Sequence, residues 1–258
     1  MKRLKVIKIG GKIIDDKDAL KVFLKDFSNL KGPKILVHGG GKLATKLATK
    51  LEIPVKMEDG RRITDRDTLE VITMVYAGSV NKNIVAGLQA NNCNAIGFTG
   101  ADGNTISSKK RSVSPIDFGY VGDIEQVNTG VLQTLLKNNI TPVFCAITHD
   151  SQGQLLNTNA DTIASALSVA FAKSYRVELS YCFEKKGVLK NVEDEDSLVK
   201  DINSSNYQRL IDTGVVSDGM LPKLKNSFHA IERNVDKVFI GKHEMIFQGN
   251  SDYTTITK

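Results

Sequence analysis

The sequence of 258 residues has no tryptophan, five prolines, three cysteines and four histidines. The cysteines, Cys93, Cys145 and Cys182, lie far apart and form no CxxC pair, which argues against a disulfide framework and predicts reduced core thiols. The histidines show no HExxH-like spacing, so no metal-ligating set is predicted. No apolar run approaches the roughly 18 to 20 residues that span a bilayer, and a glycine pair interrupts the opening MKRLKVIKI too early for a signal peptide. We therefore expect a cytoplasmic protein without a membrane partner.

The chain also has only a small excess of positive over negative charge. Lys and Arg total 35 against 29 Asp and Glu, which gives +6 and a pI near 9.1, and 41% of the residues are hydrophobic. Basic residues are spread along the chain, and a short cluster such as Lys109–Arg111 is isolated. The pI is the single argument for a nucleic-acid-binding protein. We therefore expect a globular domain with a solvated surface and no nucleic-acid partner.

Apolar segments alternate with amphipathic ones along the chain, which predicts strands alternating with helices and a mainly parallel sheet covered on both faces. The expected fold is an α/β three-layer αβα sandwich with β-hairpin insertions at 54–63 and 149–154. A long helix should run from Thr64 or Asp65 to about Asn91. The predicted strands are 4–9, 35–38, 94–100, 141–147, 176–183 and 237–241, and the one candidate boundary lies near residue 174.

Glycines follow two of these strands, as Gly10–Gly11 and as Gly39–Gly41. Parallel strands present their carboxyl ends at one edge of the sheet, where α/β proteins bind ligands. Glycine allows backbone N–H groups to approach an anion, and a following helix N-terminus adds partial positive charge. Each loop taken alone can equally be a tight turn.

A dinucleotide site is the competing interpretation of the second loop. Gly39, Gly41 and Ala44 satisfy GxGxxA after a strand, with Glu58 and Asp59 somewhat less than about 20 residues further on. The match is weak, because these acids belong to the predicted hairpin and not to a second parallel strand. A NAD-dependent oxidoreductase therefore stays as the alternative from another class.

Lys8 is the strongest single candidate for chemistry. It lies inside an apolar strand two residues before a glycine pair, a costly position for an ammonium group unless an anion meets it. Arg62, on the returning arm of the 54–63 hairpin, can clamp a carboxylate bidentately. Asp161 and Lys223 carry no signal of their own.

Five motifs taken together resemble the acetylglutamate kinases of the amino acid kinase superfamily, and the similarity runs in order over almost the whole chain. The NxNAD and DGMxxK motifs favour this branch over carbamate, aspartate and uridylate kinases. The motifs are IKIGGK (7–12), VHGGGK (37–42), DGRRIT (59–64), NTNADTIA (157–164) and SDGMLPKL (217–224).

The resemblance implies a homodimer whose N-terminal lobe, 1–174, binds the N-acylamino acid and carries the dimer contact, and whose C-terminal lobe, 175–258, binds ATP. It implies that Lys8 and Lys223 contact the transferring phosphoryl group and that Asp161 lies between them. The implied substrate-binding residues are Gly40, Gly41, Arg62 and Asn157. The implied nucleotide-binding residues are Gly10, Gly11, Glu184, Gly187, Val215, Val216 and Ser217. The segment FEKKGVL, with Glu184 where the family commonly has Asp, departs from the pattern.

The implied reaction is phosphorylation of the γ-carboxylate of N-acetyl-L-glutamate by ATP in arginine biosynthesis, with direct in-line transfer. A carboxylate is already ionised near neutral pH, so no general base is needed. Mg²⁺ is expected to arrive with ATP, without dedicated protein ligands. N-succinyl-L-glutamate is the alternative substrate, because Lys109–Arg111 or Arg61 could meet its additional carboxylate.

Overall fold

A computed structural model describes residues 1–58, 60–212, 220–247 and 252–258, with Pro222 described by its backbone alone. The β-strands in these ranges are β1 (Arg3–Ile9), β2 (Lys34–His38), β3 (Lys56–Glu58), β4 (Arg61–Ile63), β5 (Ala95–Phe98), β6 (Ile106–Lys110), β7 (Gly122–Val127), β8 (Thr141–Phe144), β9 (Ile147–His149), β10 (Leu155–Asn157), β11 (Arg176–Cys182), β12 (Asp201–Ile202), β13 (Lys237–Gly241) and β14 (Thr254–Ile256). The α-helices are α1 (Lys12–Asp15), α2 (Lys17–Asn29), α3 (Gly41–Lys50), α4 (Arg66–Thr73), α5 (Asn81–Ala90), α6 (Gly130–Lys137), α7 (Ala160–Phe171), α8 (Ser204–Asp212) and α9 (Leu221–Glu232).

The centre of the protein is an eight-stranded sheet in the order β12-β14-β13-β11-β1-β2-β8-β5. The six strands from β13 to β5 are parallel, and β14 is antiparallel to β13. The predicted α/β sandwich with a mainly parallel central sheet is therefore confirmed. Such sheets are apolar on both faces because helices cover them, and all five residues of β2 are accordingly buried.

Strand β1 joins the two halves of the sheet. It pairs in parallel with β2 on one side and with β11 on the other, in a register that places Lys8 beside Val37 and beside Tyr181. The predicted boundary near residue 174 falls between α7 and β11. Because β11 pairs with β1 along its whole length, both proposed lobes share one sheet, and the division into lobes remains a prediction.

The expected hairpins are present as separate small sheets. Strands β3 and β4 form an antiparallel pair, and β9 and β10 form another within a four-stranded sheet ordered β10-β9-β6-β7. The loop residue Asp59 lies outside the described ranges. Thr64, directly after β4, ties the β3–β4 hairpin to the polar segment before β7, because its N–H donates to the Phe118 carbonyl (2.9 Å).

The long helix predicted from Thr64 or Asp65 to Asn91 is present from Arg66 to Ala90, but its middle is not α-helical. The segment Met74–Val80 between α4 and α5 is a π-helix, and the Asn81 N–H donates to the carbonyl of Tyr76, five residues earlier. Asp65 begins α4 as its N-cap and accepts a hydrogen bond from the Thr68 N–H (2.9 Å).

The three cysteines are free and buried, as expected. Burial raises the pKa of Cys145 to about 12 and raises that of Cys182 still further, so neither thiol is a reactive thiolate at neutral pH. Among the helices of the described ranges, none combines the length and apolar character needed to cross a membrane.

Candidate active site

The two glycine loops lie side by side at the carboxyl edge of the central sheet. Gly10 and Gly11 follow β1, Gly39–Gly41 follow the neighbouring β2, and the Gly39 N–H donates to the Ile9 carbonyl (3.4 Å). From β1 the chain continues to β2 on one side, whereas the strand on the other side of β1 is β11. In α/β folds, a crevice that binds ligands opens at the carboxyl ends of the strands where the strand order reverses in this way.

The two lysines implied by the resemblance meet at one carboxylate. Lys8 Nζ lies 2.7 Å from Asp161 Oδ1, and Lys223 Nζ lies 2.5 Å from Asp161 Oδ2. The side chains of Lys8, Lys223 and Asp161 are only 14%, 20% and 11% exposed. The structure therefore brings together β1, α7 and α9, three elements far apart in sequence, around a net positive, largely buried centre.

Asp161 is held at the N-terminus of α7. Asn159 is the N-cap, and its side-chain oxygen accepts from the Asp161 N–H (2.8 Å), while the Asp161 carbonyl accepts from the Tyr181 hydroxyl (3.1 Å). Burial alone would raise the pKa of Asp161, but the ammonium groups of Lys8 and Lys223 outweigh it and lower this pKa to about 2. The carboxylate is therefore ionised throughout the physiological range.

Helix α9 carries Lys223 in its first turn and packs against α7. The Ser165 hydroxyl on α7 donates to the Asn226 carbonyl (3.2 Å), and the Ser227 hydroxyl donates to the Lys223 carbonyl (2.7 Å). The first bond joins α7 to α9, which helps to keep the Lys223 ammonium close to Asp161, and the second lies within α9.

Gly10 makes room for the Lys8 side chain. A Cβ at Gly10 would lie 2.8 Å from Lys8 Nζ, so any other residue there would displace the ammonium group. Gly11 has φ +52°, a conformation that glycine adopts without strain, and Glu184 Oε2 lies 3.4 Å from the position of a Cβ there. The exposed Glu184 of the unusual FEKKGVL segment is thus placed beside the first glycine loop.

Arg62 links the β3–β4 hairpin to the second glycine loop. Its Nη2 donates to the Gly41 carbonyl (3.1 Å) and to the Thr45 hydroxyl (2.8 Å), whereas its buried Nη1 has no hydrogen-bond partner among the described residues. A buried guanidinium donor without a partner is costly unless an acceptor joins it. Arg62 is therefore suited to receive a carboxylate.

Asn157 reaches the same region through Thr64. Its Nδ2 donates to the Thr64 hydroxyl (3.0 Å), which in turn donates to the Arg62 carbonyl (3.2 Å). The four residues implied to bind the substrate, Gly40, Gly41, Arg62 and Asn157, are therefore connected across the hairpin, the glycine loop and the end of β10.

The structure places some of the residues implied to bind nucleotide near the lysines and others elsewhere. Gly10 and Gly11 border the lysine centre. Gly187 is buried, and a Cβ there would lie 2.5 Å from the Thr254 hydroxyl, so it permits close packing against β14. Val215, Val216 and Ser217 lie outside the described residues.

His38 is a contributor that the sequence did not single out. Its Nδ1–H donates to the Gly39 carbonyl (2.8 Å), and its Nε2 accepts from Asn81 Nδ2 (3.0 Å), which also lies 2.9 Å from the Val143 carbonyl. These partners require the neutral imidazole with its proton on Nδ1. Complete burial is the main reason that the pKa of His38 is lowered to about 4, and the nearby Lys82 acts in the same direction.

We expect this histidine to make stability depend on pH. The pKa of His38 is about 4 when folded and near 6.5 when unfolded, so the unfolded chain binds its proton first as pH falls. The free energy of unfolding should therefore fall by about 3 kcal/mol between pH 6.5 and 4 and should not depend on this group above pH 6.5. Urea unfolding across this range measures it.

The control for this pH dependence is His229, which is exposed on α9. His229→Gln should retain most of the fall in stability, and His38→Asn should remove most of it. An unfolding free energy of the unchanged protein that stays constant from pH 6.5 to 4.5 would contradict the assignment.

The structure does not favour the two alternatives, a succinylated substrate and a dinucleotide site. Arg111 makes a bidentate contact with Asp123 (Nη2–Oδ1 2.5 Å), and Lys109 pairs with Glu125 at 3.7 Å, so these cations already have partners and do not favour a succinyl group. Glu58 is exposed in the β3–β4 hairpin and does not end a strand of the central sheet, as a ribose-binding acid of a dinucleotide site would.

Comparison with known proteins identifies the family to which the chain belongs. Residues 3–242 match the model of the amino acid kinase family. The chain is 52% identical over 257 residues to an acetylglutamate kinase of Cytophaga hutchinsonii, covering 99% of this chain and 97% of that protein. It is 52% identical over 238 residues to an acetylglutamate kinase of Bacteroides fragilis, covering 92% and 91%.

Among solved structures, a Streptococcus mutans protein superposes with a TM-score of 0.78 at 28% identity, covering 98% of each chain. The chain belongs to the amino acid kinase family and, within it, to the acetylglutamate kinases.

Proposed function

We propose that the protein transfers the γ-phosphoryl group of ATP to the γ-carboxylate of N-acetyl-L-glutamate, giving N-acetyl-L-glutamyl 5-phosphate and ADP. The observation that carries this proposal is the meeting of Lys8 and Lys223 at the edge where both glycine loops end. This arrangement supplies positive charge and no His-centred base, which suits an acceptor that is already an anion.

Electrostatic repulsion is the barrier that such a site must lower. A carboxylate and a triphosphate oxygen about 4 Å apart repel each other by about 4 kcal/mol at an effective dielectric constant of 20, and several such pairs act at once. The two ammonium groups of Lys8 and Lys223, next to the first glycine loop, can offset this charge, and glycine N–H groups can hold attacking and leaving oxygens in line.

Asp161 orients the two lysines in this proposal and is not a nucleophile. Both of its oxygens face an ammonium group, at 2.7 and 2.5 Å, so neither is free to attack phosphorus. The phosphoryl group therefore passes directly from ATP to the acceptor. A covalent phosphoaspartate at residue 161, or retention at a chiral phosphorus, would rule out this mechanism.

Mg²⁺ belongs to the nucleotide substrate in this proposal. Within the described residues, no three His, Cys, Asp or Glu side chains form a group that could hold a metal ion. Mg²⁺ commonly binds through substrate phosphates with few protein ligands. Mg²⁺ bound to ATP would neutralise part of the charge on the β- and γ-phosphates, while Lys8 and Lys223 would act on the transferring phosphoryl group.

The activity is tested by coupled ADP release with acetylglutamate, succinylglutamate, glutamate and aspartate as acceptors. We expect the highest kcat/KM with acetylglutamate and formation of a hydroxylamine-sensitive acyl phosphate. A preference for free aspartate or glutamate, or ADP release that does not depend on any acceptor, would reject the proposal.

Arg62 is expected to bind the α-carboxylate of the acceptor. Because its Nη1 is buried without a partner, Arg62→Ala should raise KM for acetylglutamate at least about tenfold, the size of one charged hydrogen bond, with a smaller change in KM for ATP. The adjacent and exposed Arg61 is a matched control, and Arg61→Ala should change neither constant by more than about twofold. An unchanged acceptor KM in Arg62→Ala would exclude the clamp.

We propose in addition a cytoplasmic homodimer with an acceptor-binding lobe at 1–174 and an ATP-binding lobe at 175–258. Strand β5 is an edge of the central sheet, and its Ile96 is 43% exposed, which leaves a surface that a second copy can cover. Light scattering should give twice the 28.2 kDa of one chain.

A further inference from the structure

The second glycine loop is held at each of its three residues. The His38 imidazole donates to the Gly39 carbonyl, and Arg62 donates to the Gly41 carbonyl. Between them, the Tyr76 ring lies against Gly40, where a Cβ would come within 3.0 Å of the ring carbon Cδ1. The loop therefore has little freedom, and the direction of its N–H groups depends on the residues that surround it.

Two of these supports come from one helical stretch. Tyr76 contacts Gly40 directly, and Asn81 reaches Gly39 through His38. Five residues of an α-helix turn through about 500°, so Tyr76 and Asn81 would point about 140° apart in an unbroken α-helix. The π-helical segment Met74–Val80 reduces this divergence, because its i to i+5 hydrogen bond connects the Tyr76 carbonyl to the Asn81 N–H.

Both side chains are deeply placed. Tyr76 is 6% exposed and Asn81 is 1% exposed. Asn81 fits because residue 97 on β5 is glycine, where a Cβ would lie only 1.8 Å from Asn81 Oδ1. The Tyr76 hydroxyl lies 4.0 Å from the position of a Cβ at Gly41, whose carbonyl accepts a hydrogen bond from Arg62, so the hydroxyl is close to the proposed clamp. Burial is the main reason that the pKa of Tyr76 is raised, and the Arg62 guanidinium opposes this shift.

We propose that the π-helical turn is a positioning device, and that Tyr76 and Asn81 are positioning residues that aim the Gly39–Gly41 loop and Arg62 at the acceptor carboxylates. The Tyr76 ring lies against Gly40 and its hydroxyl lies near Gly41, which binds Arg62, so one side chain connects the glycine loop to the group proposed for the α-carboxylate. This inference rests on the proposed function, because it concerns binding of the same acceptor.

The first test is Tyr76→Phe, which keeps the ring against Gly40 and removes only the hydroxyl. We expect KM for acetylglutamate to rise about fivefold because Arg62 and Gly41 lose a polar neighbour, while KM for ATP and the melting temperature stay nearly constant. If Tyr76 only filled the core, phenylalanine would serve equally well and the acceptor KM would stay unchanged. An acceptor KM within twofold of the parent enzyme overturns the role of the hydroxyl and, with it, the proposal.

The second test asks whether the two residues act on one loop. Asn81→Ala should also raise the acceptor KM, and the Tyr76→Phe/Asn81→Ala double variant should lose less in kcat/KM than the product of the two single losses. Losses that multiply would overturn the proposed single device. If Asn81→Ala does not fold, Asn81→Ser replaces it, since serine is small enough to fit against Gly97 but too short to reach His38.

Asn83→Ala is the matched control for the helix. Asn83 is exposed two residues beyond Asn81, and its side chain donates to the Ser79 carbonyl (2.7 Å). Its substitution should leave the KM for acetylglutamate unchanged. Failure of the parent protein to phosphorylate acetylglutamate would reject the proposed function, whereas an active parent with an unaffected Tyr76→Phe variant would reject this inference alone.

Discussion

Lys8→Ala is expected to lower kcat at least about 100-fold, with KM values for both substrates changing by only a few fold. Its ammonium lies 2.7 Å from Asp161, beside the glycine loop that follows β1, and is proposed to meet the migrating phosphoryl group in the transition state. An interaction that strengthens in the transition state affects kcat more than KM. Steady-state kinetics with both substrates varied measures the effect.

Lys5 provides the matched control on the same strand. It is half-buried on β1 but lies three residues nearer the opposite edge of the sheet, beside Lys34 and Glu178 in the strand register. Lys5→Ala should keep kcat within about twofold. If Lys8→Ala also stays within a few fold of the parent enzyme, Lys8 does not contact the transferring group.

Asp161→Asn is expected to reduce both activity and stability. The amide keeps the shape of the side chain but leaves two largely buried ammonium groups facing each other without a counterion. Removing one partner from a buried ion pair typically costs about 3 kcal/mol or more, and we expect a loss of that size at pH 7. Because the lysines then repel each other, kcat should fall by at least about 100-fold.

The contribution of the Asp161 carboxylate to the free energy of unfolding should depend on pH. The pKa of Asp161 is about 2 in the folded protein against 3.8 ordinarily, so its stabilisation is complete above about pH 4 and is lost as pH falls through 2. Urea unfolding should therefore show the full difference between parent and Asp161→Asn at pH 7 and a smaller one below pH 4. Asp123→Asn, which removes the half-exposed partner of Arg111, is the control and should cost about 1 kcal/mol or less. Equal losses in the two variants would contradict the buried triad.

The sheet and its hairpins could be predicted because their signals are local. Apolar runs, the two glycine loops and the turn residues of the 54–63 hairpin lie within a few residues of the elements that they specify. The predicted strands correspond to β1, β2, β5, β8, β11 and β13. Lys8 could also be singled out, since a charged residue in a buried strand needs a partner. The identity of that partner could not, because nothing local connects Lys8 to Asp161.

Asp161 and Lys223 emerge only from the order of the strands and the packing of the helices. β1 lies beside β11, α7 crosses both strands, and α9 packs on α7, so residues remote in sequence arrive at one point. Without the resemblance, the composition around Asp161 and Lys223 offered no reason to choose them. Long-range pairing of this kind is a property of the whole topology.

The π-helical turn could not be predicted from the sequence. Leu69, Ile72, Tyr76 and Val80 are buried and follow one another at the three- and four-residue intervals of an ordinary α-helix. Tyr76 therefore has the pattern of a core aromatic residue, because its neighbours Gly40 and Arg62 are brought to it by other elements.

The short strand β14 has an effect beyond its three residues. The Thr254 hydroxyl accepts from the Val188 N–H (2.8 Å) and donates to the Val199 carbonyl (2.7 Å), while Gly187 packs directly against it. One hydroxyl thus joins the C-terminal part of the FEKKGVL segment to Val199, which precedes β12. Replacing that threonine by valine would keep its bulk but remove both hydrogen bonds, so the anchoring of the FEKKGVL segment depends on a residue 66 positions after Val188.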